Sequence, residues 1–318
     1  MKEFIINDND SGQRIDKFIT KALPDLPKSM MYRLFRQKDV KLNGKRCDFS
    51  AKLTPGDVVR VYVRDELSAV KKADMSFLKL PADLDIVYED ASVIIVNKPE
   101  GLDSHAGGSF SDNLIDRIKH YLYNKQEYLP ENEASFAPAL VSRLDRNTCG
   151  LVTAAKTAEA LRELSSAVRS GQVTKIYRCI TVGAPPDGPI LTAYHKKEES
   201  RNIVRISDTP LDDYKIIRTG CRVLASKGSL SLVEVTLYTG RTHQIRAHLA
   251  HVGAPVLGDG KYGNTAANKR FGLFRQALCA YSLRFSFPEG SRLAYLNGVS
   301  VSAGTPEFER KYFGTQLG

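Results

Sequence analysis

The sequence predicts an α+β fold: a small helix-helix-hairpin unit followed by a larger domain built on a mixed, mainly antiparallel sheet. Three observations carry that prediction. Apolar residues recur at helical spacing near the amino terminus and again after Thr157. Short β-like runs bounded by Gly, Asn and Pro turns fill much of the remainder. Regular strand-helix alternation, the mark of a parallel βαβ sheet, is missing. The 318 residues leave room for two or three domains, divided here as 1–64, a linker at 65–81, and 82–318.

In chain order, Ile15, Phe18, Ile19 and Ala22 line one face of a first helix after the turn-prone Ser11-Gly12. A second helix is expected from Ser29 as N-cap, burying Met31, Leu34 and Phe35 and turning Arg33, Arg36 and Gln37 outward. Val40 to Lys45 reads as a strand entering an Asn43-Gly44 turn, and Pro55-Gly56-Asp57 leads into an alternating strand from Val58 to Val63. Periodicity weakens between Asp65 and Pro81, where Lys71-Lys72 and other charges mix with isolated apolar residues; hence the linker. The larger domain opens near Leu84 with short strands at Ile86 to Tyr88 and Val93 to Val96. A helix from Thr157 to Ser170 is capped by Thr157 and stopped at Gly171. Further strands are expected at Ile176 to Val182, Ile216 to Leu224, Leu230 to Tyr238 and Tyr281 to Phe287.

Composition narrows the functional class. Hydrophobic residues at 42% and charged residues at 26% exclude global disorder. Apolar runs such as Val93 to Val96 fall far short of the roughly 20 residues that span a bilayer, and Met1 to Asn7 lacks a signal-peptide core. The expectation is a cytoplasmic protein with no membrane partner. A net charge of +10 favours a polyanionic partner. Seven cations (Lys28, Arg33, Arg36, Lys38, Lys41, Lys45, Arg46) face the single acid Asp39 between positions 28 and 46, a phosphate-binding type of footprint. The five cysteines are scattered and form no CxxC pair, arguing against a disulfide framework or a zinc ribbon.

No GxGxxG follows a strand, and the nearest approach to a phosphate loop, Gly253 to Asp259, ends on an acid where a lysine is required. His243, His248 and His251 lack an acid or cysteine at ligand spacing, so no metal is expected. Two stretches stand out instead. In Arg143-Leu144-Asp145-Arg146-Asn147-Thr148-Cys149-Gly150-Leu151 an acid sits between two arginines before an apolar strand. Surface ion pairs stapling a loop would explain that pattern. So would a carboxylate nucleophile, whose charged form neighbouring guanidinium groups favour. In Gly240-Arg241-Thr242-His243-Gln244-Ile245-Arg246-Ala247-His248, a turn feeds a helix start that presents Arg241, His243, Gln244 and Arg246. Such a terminus suits a phosphate or a carboxylate, and equally a structural cap.

These segments carry two resemblances. Gly12 to Phe18, Lys28 to Leu34, Val40 to Arg46 and Leu53 to Val59 resemble the small RNA-binding module of ribosomal protein S-four type. Most of the chain resembles the RluA-type family of RNA pseudouridine synthases. The likeness runs through Tyr88-Glu89-Asp90, Asn97 to Leu102 with His105, the Arg143 to Leu151 loop, Lys175-Ile176-Tyr177 and Gly240 to His248. A leading S-four-like module is the architecture of ribosomal large-subunit members. The resemblance implies an isomerase that needs no cofactor. Asp145 would be the nucleophile, Arg246 would pair with it, and Tyr177 would pack on the detached uracil and help take the C5 proton. It implies an RNA partner, most readily large-subunit ribosomal RNA, a flipped target nucleotide, and a monomer. Expected RNA contacts are Arg33, Arg36, Lys38, Lys41, Lys45 and Arg46 in the first unit, with Arg143, Arg241, His243 and Gln244 in the second. Ser142, Cys149 and Cys279 depart from the family pattern of His, Ser and His. Two rival classes share parts of the inventory: a silent RNA-binding scaffold, and a hydrolase using Asp145, for which a second carboxylate is not evident.

Overall fold

The computed structural model describes residues 1–63, 74–108 and 111–314. In the first unit, α1 (Ile15–Ala22) and α2 (Lys28–Gln37) pack on a four-stranded sheet, with β1 (Lys2–Ile5), β2 (Val40–Leu42), β3 (Lys45–Arg46) and β4 (Val58–Val61) in the order β1-β4-β2-β3. Ile15, Phe18 and Ile19 are fully buried with Met31, Leu34, Phe35, Val59 and Val61. Phe4 and Phe18 meet edge to face at 5.4 Å, a pair worth about 0.5–1.5 kcal/mol beyond its buried area. Asn43 and Gly44 both have positive φ, as a two-residue hairpin turn of this kind requires.

Three details differ from the sequence expectation. Strand β1 was not expected, because four residues carry too little periodicity to be read before the partner β4 is known. Helix α2 begins two residues earlier, with Pro27 rather than Ser29 at the cap position, since Pro27 already presets the extended entry. The strand after Asp57 ends at Val61 rather than Val63.

Residues 65–73 of the expected linker lie outside the described residues. From Ser76 to Lys79 the chain forms a 3-10 turn, and Phe77 is buried in the second unit's core beside Ile118, Leu122 and Tyr128. That part of the segment is therefore packed structure. The two units touch directly. Ser135 donates its backbone N–H (3.0 Å) and hydroxyl (2.5 Å) to buried Asp10, Gln13 donates to the Ser135 hydroxyl at 2.7 Å, and Arg162 donates to the Ser11 carbonyl at 3.0 Å.

The second unit contains β5 (Ile86–Glu89), β6 (Val93–Lys98), α3 (Leu114–Asn124), β7 (Ala139–Leu140), β8 (Cys149–Ala155), α4 (Ala158–Arg169) and β9 (Val173–Val182). There follow β10 (Ile190–Glu198), β11 (Ile203–Ser207), β12 (Lys215–Lys227), β13 (Leu230–Leu237), α5 (Gln244–His251), α6 (Thr265–Phe271), β14 (Leu278–Phe285), β15 (Ser300–Ser302) and α7 (Glu307–Phe313). The sheet runs β11-β10-β12-β13-β9-β14-β8-β6-β5, with β15 on β14 and β7 on β8. Thr157 caps α4 as expected, its side chain accepting from the Ala160 N–H at 3.2 Å. Among the described strands, β8 and β14 form the one parallel pair. A Cβ at Gly150 would stand 2.3 Å from the Ala280 carbonyl oxygen. Only glycine lets β8 approach β14 there, which fixes where the loop before β8 meets the sheet.

Candidate active site

The loop preceding β8 is clamped from several sides. Thr148 N–H donates to the Asp145 carbonyl at 3.0 Å, and Gly101 N–H donates to the Arg146 carbonyl at 2.8 Å. Ser104 donates its hydroxyl to the Leu144 carbonyl and accepts the Leu144 N–H. Lys98, fully buried, donates to the carbonyls of Pro99, Leu102 and Arg146 at 2.8, 2.8 and 3.0 Å. Burial lowers its ammonium to about 8. A lysine in an apolar strand reads as a solvent-facing end; here its three N–H groups fix the loop, a role sequence reasoning missed.

Asp145 emerges from this loop opposite α5. Its Oδ2 accepts from Arg246 Nη1 at 2.7 Å. The same guanidinium donates from Nε (2.7 Å) and Nη2 (2.9 Å) to Asp259, whose side chain is fully buried. Burial opposes both charges, but the hydrogen bonds and mutual attraction win, raising Arg246 above its ordinary value and lowering Asp259. The backbone N–H groups of Lys261 and Tyr262 also donate to Asp259. Gly258 has φ +79°, and a Cβ on it would lie 2.0 Å from the Arg275 carbonyl, so glycine is required for the turn that aims Asp259. The sequence gives Asp259 no role: its partner lies 13 residues away, and it shows only as the acid of the failed phosphate-loop match and within the Gly258 to Gly263 run that follows the Gly240 to His248 stretch.

Of the guanidinium groups that could favour the charged Asp145, the two flanking it in sequence do not hold it; Arg246, the partner the resemblance implies, does. Arg146 donates instead to the Gly101 carbonyl at 3.0 Å, Arg143 is exposed at the rim, and the cation on Asp145 comes from α5. Tyr177, on β9 between Val235 and Ala280, is buried against Leu278 and Ile245. Burial, then the charge of Asp145, raises its phenol well above the ordinary value. His243 has φ 52° at the start of α5, and its side chain is 8% exposed. Its Nδ1 lies 3.0 Å from the Tyr262 hydroxyl and its Nε2 3.9 Å from Asp145, and burial lowers its pKa. Gln244 was expected to touch RNA, but its amide is spent internally. It donates to the Arg218 carbonyl and the Thr219 hydroxyl, and accepts from the Thr239 hydroxyl and the Arg241 N–H. It holds the turn and has no donor to spare.

One cleft of about 70 Å³ is lined by Arg143, Asp145, Tyr177, Arg241, His243, Gln244 and Arg246. Arg143 and Arg241 are exposed at its mouth. The six expected contacts of the first unit do not join it. Arg33 and Arg36 stand exposed on α2, Lys38 is its left-handed C-cap, Lys41 lies over the Tyr62 ring, and Lys45 and Arg46 are exposed on β3. No three acids, cysteines or histidines among the described residues could hold a metal ion, and no helix among them is long and apolar enough to cross a membrane.

Helix α5 carries an acid-sensitive group. His248 is 1% exposed, with Nδ1 3.0 Å from the Thr219 hydroxyl, and burial lowers its pKa to about 4. The unfolded chain binds this proton below about 6.5, whereas the native chain binds it only near 4. Stability from the neutral imidazole is therefore complete above 6.5 and is lost as pH falls through 4, by about 3 kcal/mol. Denaturant melts between those values should show this decline, and His248→Gln should flatten it.

The RNA pseudouridylate synthase family model matches residues 92–251, and the S4 domain model matches residues 13–59. A ribosomal large subunit pseudouridine synthase C from Vibrio vulnificus is 34% identical over 290 residues, covering 89% of this chain and 88% of that protein. A ribosomal large subunit pseudouridine synthase D from Neisseria meningitidis is 34% identical over 311 residues, covering 93% and 77%. The solved structure of human RNA pseudouridylate synthase domain containing 4 shares the fold, with TM-score 0.54 and 22% identity over 70% of this chain and 89% of that one.

Proposed function

Because the chain belongs to the RNA pseudouridylate synthase family and is thus an isomerase with an S4 domain, we propose that it converts uridine to pseudouridine in large-subunit ribosomal RNA. Asp145 is the nucleophile, and residues 82–318 form the catalytic domain. The substrate class follows the names of the relatives. The observation that carries the chemistry is the Asp145–Arg246 pair in a cleft walled by Tyr177, backed by buried Asp259.

The reaction breaks the bond between uracil N1 and the sugar, turns the base, joins C5 to the same carbon, releases the C5 proton and leaves a proton on N1. No electrons are gained or lost overall and no group donor is required. A stacked nucleotide hides these atoms, so the target leaves its helix to reach Asp145. Arg246 orients Asp145, and Asp259 fixes Arg246. Tyr177, kept neutral by burial and by the Asp145 charge, enters as a ring against the base rather than as a phenolate that takes the proton. Arg143 and Arg241 at the rim meet backbone phosphates. A pseudouridine map of ribosomal RNA from cells with and without the gene tests this reading. Loss of one or more large-subunit sites is expected, and an unchanged map would overturn it.

The basic face of residues 1–64 supplies the remaining RNA affinity. Arg33→Gln, Arg36→Gln and Lys45→Gln combined should weaken binding and shrink the slope of log affinity against log salt by about 0.7 to 0.9 for each phosphate no longer neutralised. Single-turnover rates at saturating enzyme should stay near wild type. An unchanged slope would mean that this face is merely solvated.

A further inference from the structure

Cys149 and Cys279, two departures from the family pattern, face each other in register across the parallel pair β8/β14. Neighbouring strands lie about 4.7–4.9 Å apart, inside the roughly 4.4–6.8 Å between Cα atoms that a disulfide spans. The two thiols are hydrogen-bonded to each other, and Cys149 Sγ also lies 3.7 Å from the Leu278 carbonyl. Both line a cavity of about 680 Å³. This cavity lies on the sheet face opposite the catalytic cleft: Thr148 and Leu278, their chain neighbours, line the cleft instead. Space of that size admits a small oxidant and a small thiol reductant.

We propose that Cys149 and Cys279 form a dithiol site that a hydroperoxide converts reversibly into a disulfide, and that this closure slows the enzyme. The Cys279 hydrogen bond lowers the Cys149 thiol against burial and the Glu100 charge, and the Lys98 ammonium in the same cavity adds to the lowering. Cys279, raised by the Cys149 hydrogen bond and by burial, stays protonated. Cys149 is the less buried of the two, so the oxidant meets it first and Cys279 resolves. The Cys149 thiolate attacks the terminal peroxide oxygen, the O–O bond breaks, and sulfenic acid and an alkoxide result, or hydroxide when the oxidant is hydrogen peroxide. That base takes the Cys279 proton and leaves as the alcohol, or as water. The Cys279 thiolate then attacks the Cys149 sulfur and expels hydroxide, which takes up the proton Cys149 first released. Two thiols and one hydroperoxide thus give one disulfide, one water and one alcohol, or two waters from hydrogen peroxide itself. The other cysteines are poor competitors. Cys179 and Cys221 are buried with raised thiols, the latter to about 11, and burial also raises Cys47.

Closure imposes the fixed S–S length and dihedral of a disulfide on the first residue of β8. Thr148, next in the chain, is tied to the Asp145 carbonyl and to Gln276, so the constraint passes into the catalytic loop. The test treats the full chain with hydrogen peroxide, blocks remaining thiols by alkylation, and maps disulfides by peptide mass spectrometry. Turnover is measured on the same samples before and after dithiothreitol. A Cys149–Cys279 disulfide is expected. Turnover should fall by about tenfold to a hundredfold, the scale of a catalytic group misplaced by roughly 1 Å, and reduction should restore it. In Cys279→Ser the same treatment should leave a sulfenic acid on Cys149 that dimedone traps, with no disulfide. The proposal is overturned if both thiols stay alkylatable while Cys47 is oxidised, or if the disulfide forms and turnover does not change. Thiol mapping is read independently of which RNA is modified.

Discussion

Arg246→Met is expected to slow the chemical step by about 100- to 1000-fold, the scale of removing one preorganised charge-stabilising donor, while RNA affinity changes only a few-fold. Arg246 bridges two carboxylates through three nitrogens. Methionine preserves the apolar stem, deprives Asp145 of its cation and strands Asp259 in the interior. Breaking such a buried pair costs about 3–5 kcal/mol, so folded fraction and rate must be measured together. Arg246→Lys should recover only part of the rate, because a point charge on a flexible stem cannot hold both carboxylates at once. If Arg246 were one phosphate contact among many, its removal would weaken binding and leave single-turnover rates at saturation nearly normal. That outcome would take it out of the active site.

Asp145→Asn is expected to remove isomerisation almost entirely, by at least about 10 000-fold, as deletion of a nucleophile does in other enzymes. The substitution keeps size and shape and removes the charge. Arg246 retains its two-pronged contact with Asp259, so the cation is not left unpaired and the fold should survive. Circular dichroism should therefore match wild type, and RNA should bind within a few-fold.

Much of this site was legible because its parts sit in short local signals. The Arg143 to Leu151 loop, the strand bearing Tyr177 and the turn before α5 are each continuous in sequence, and Asp145, Tyr177 and Arg246 do converge on one cleft. Local chemistry also gave the Thr157 cap and the Asn43-Gly44 hairpin. What was missed depends on distance. Asp259 acquires meaning only when the chain folds back to set it on Arg246, and Lys98 only when three carbonyls from two loops converge on its ammonium. Gln244 shows the converse: a polar residue in a catalytic-looking motif spends its amide inside the turn. Helix α3 was available to sequence reasoning and was overlooked, for Leu114, Ile115, Ile118 and Leu122 form its buried stripe and Asn113 caps it by accepting from the Asp116 N–H.

The most direct measurement is tritium release from RNA carrying uridine labelled at C5, under single-turnover conditions with enzyme saturating. The wild-type chain should release tritium from the target uridine and leave pseudouridine in its place, whereas Asp145→Asn, folded and bound to the same RNA, should release none above background. Release by the variant at a rate near wild type would contradict the assignment of Asp145 as the nucleophile.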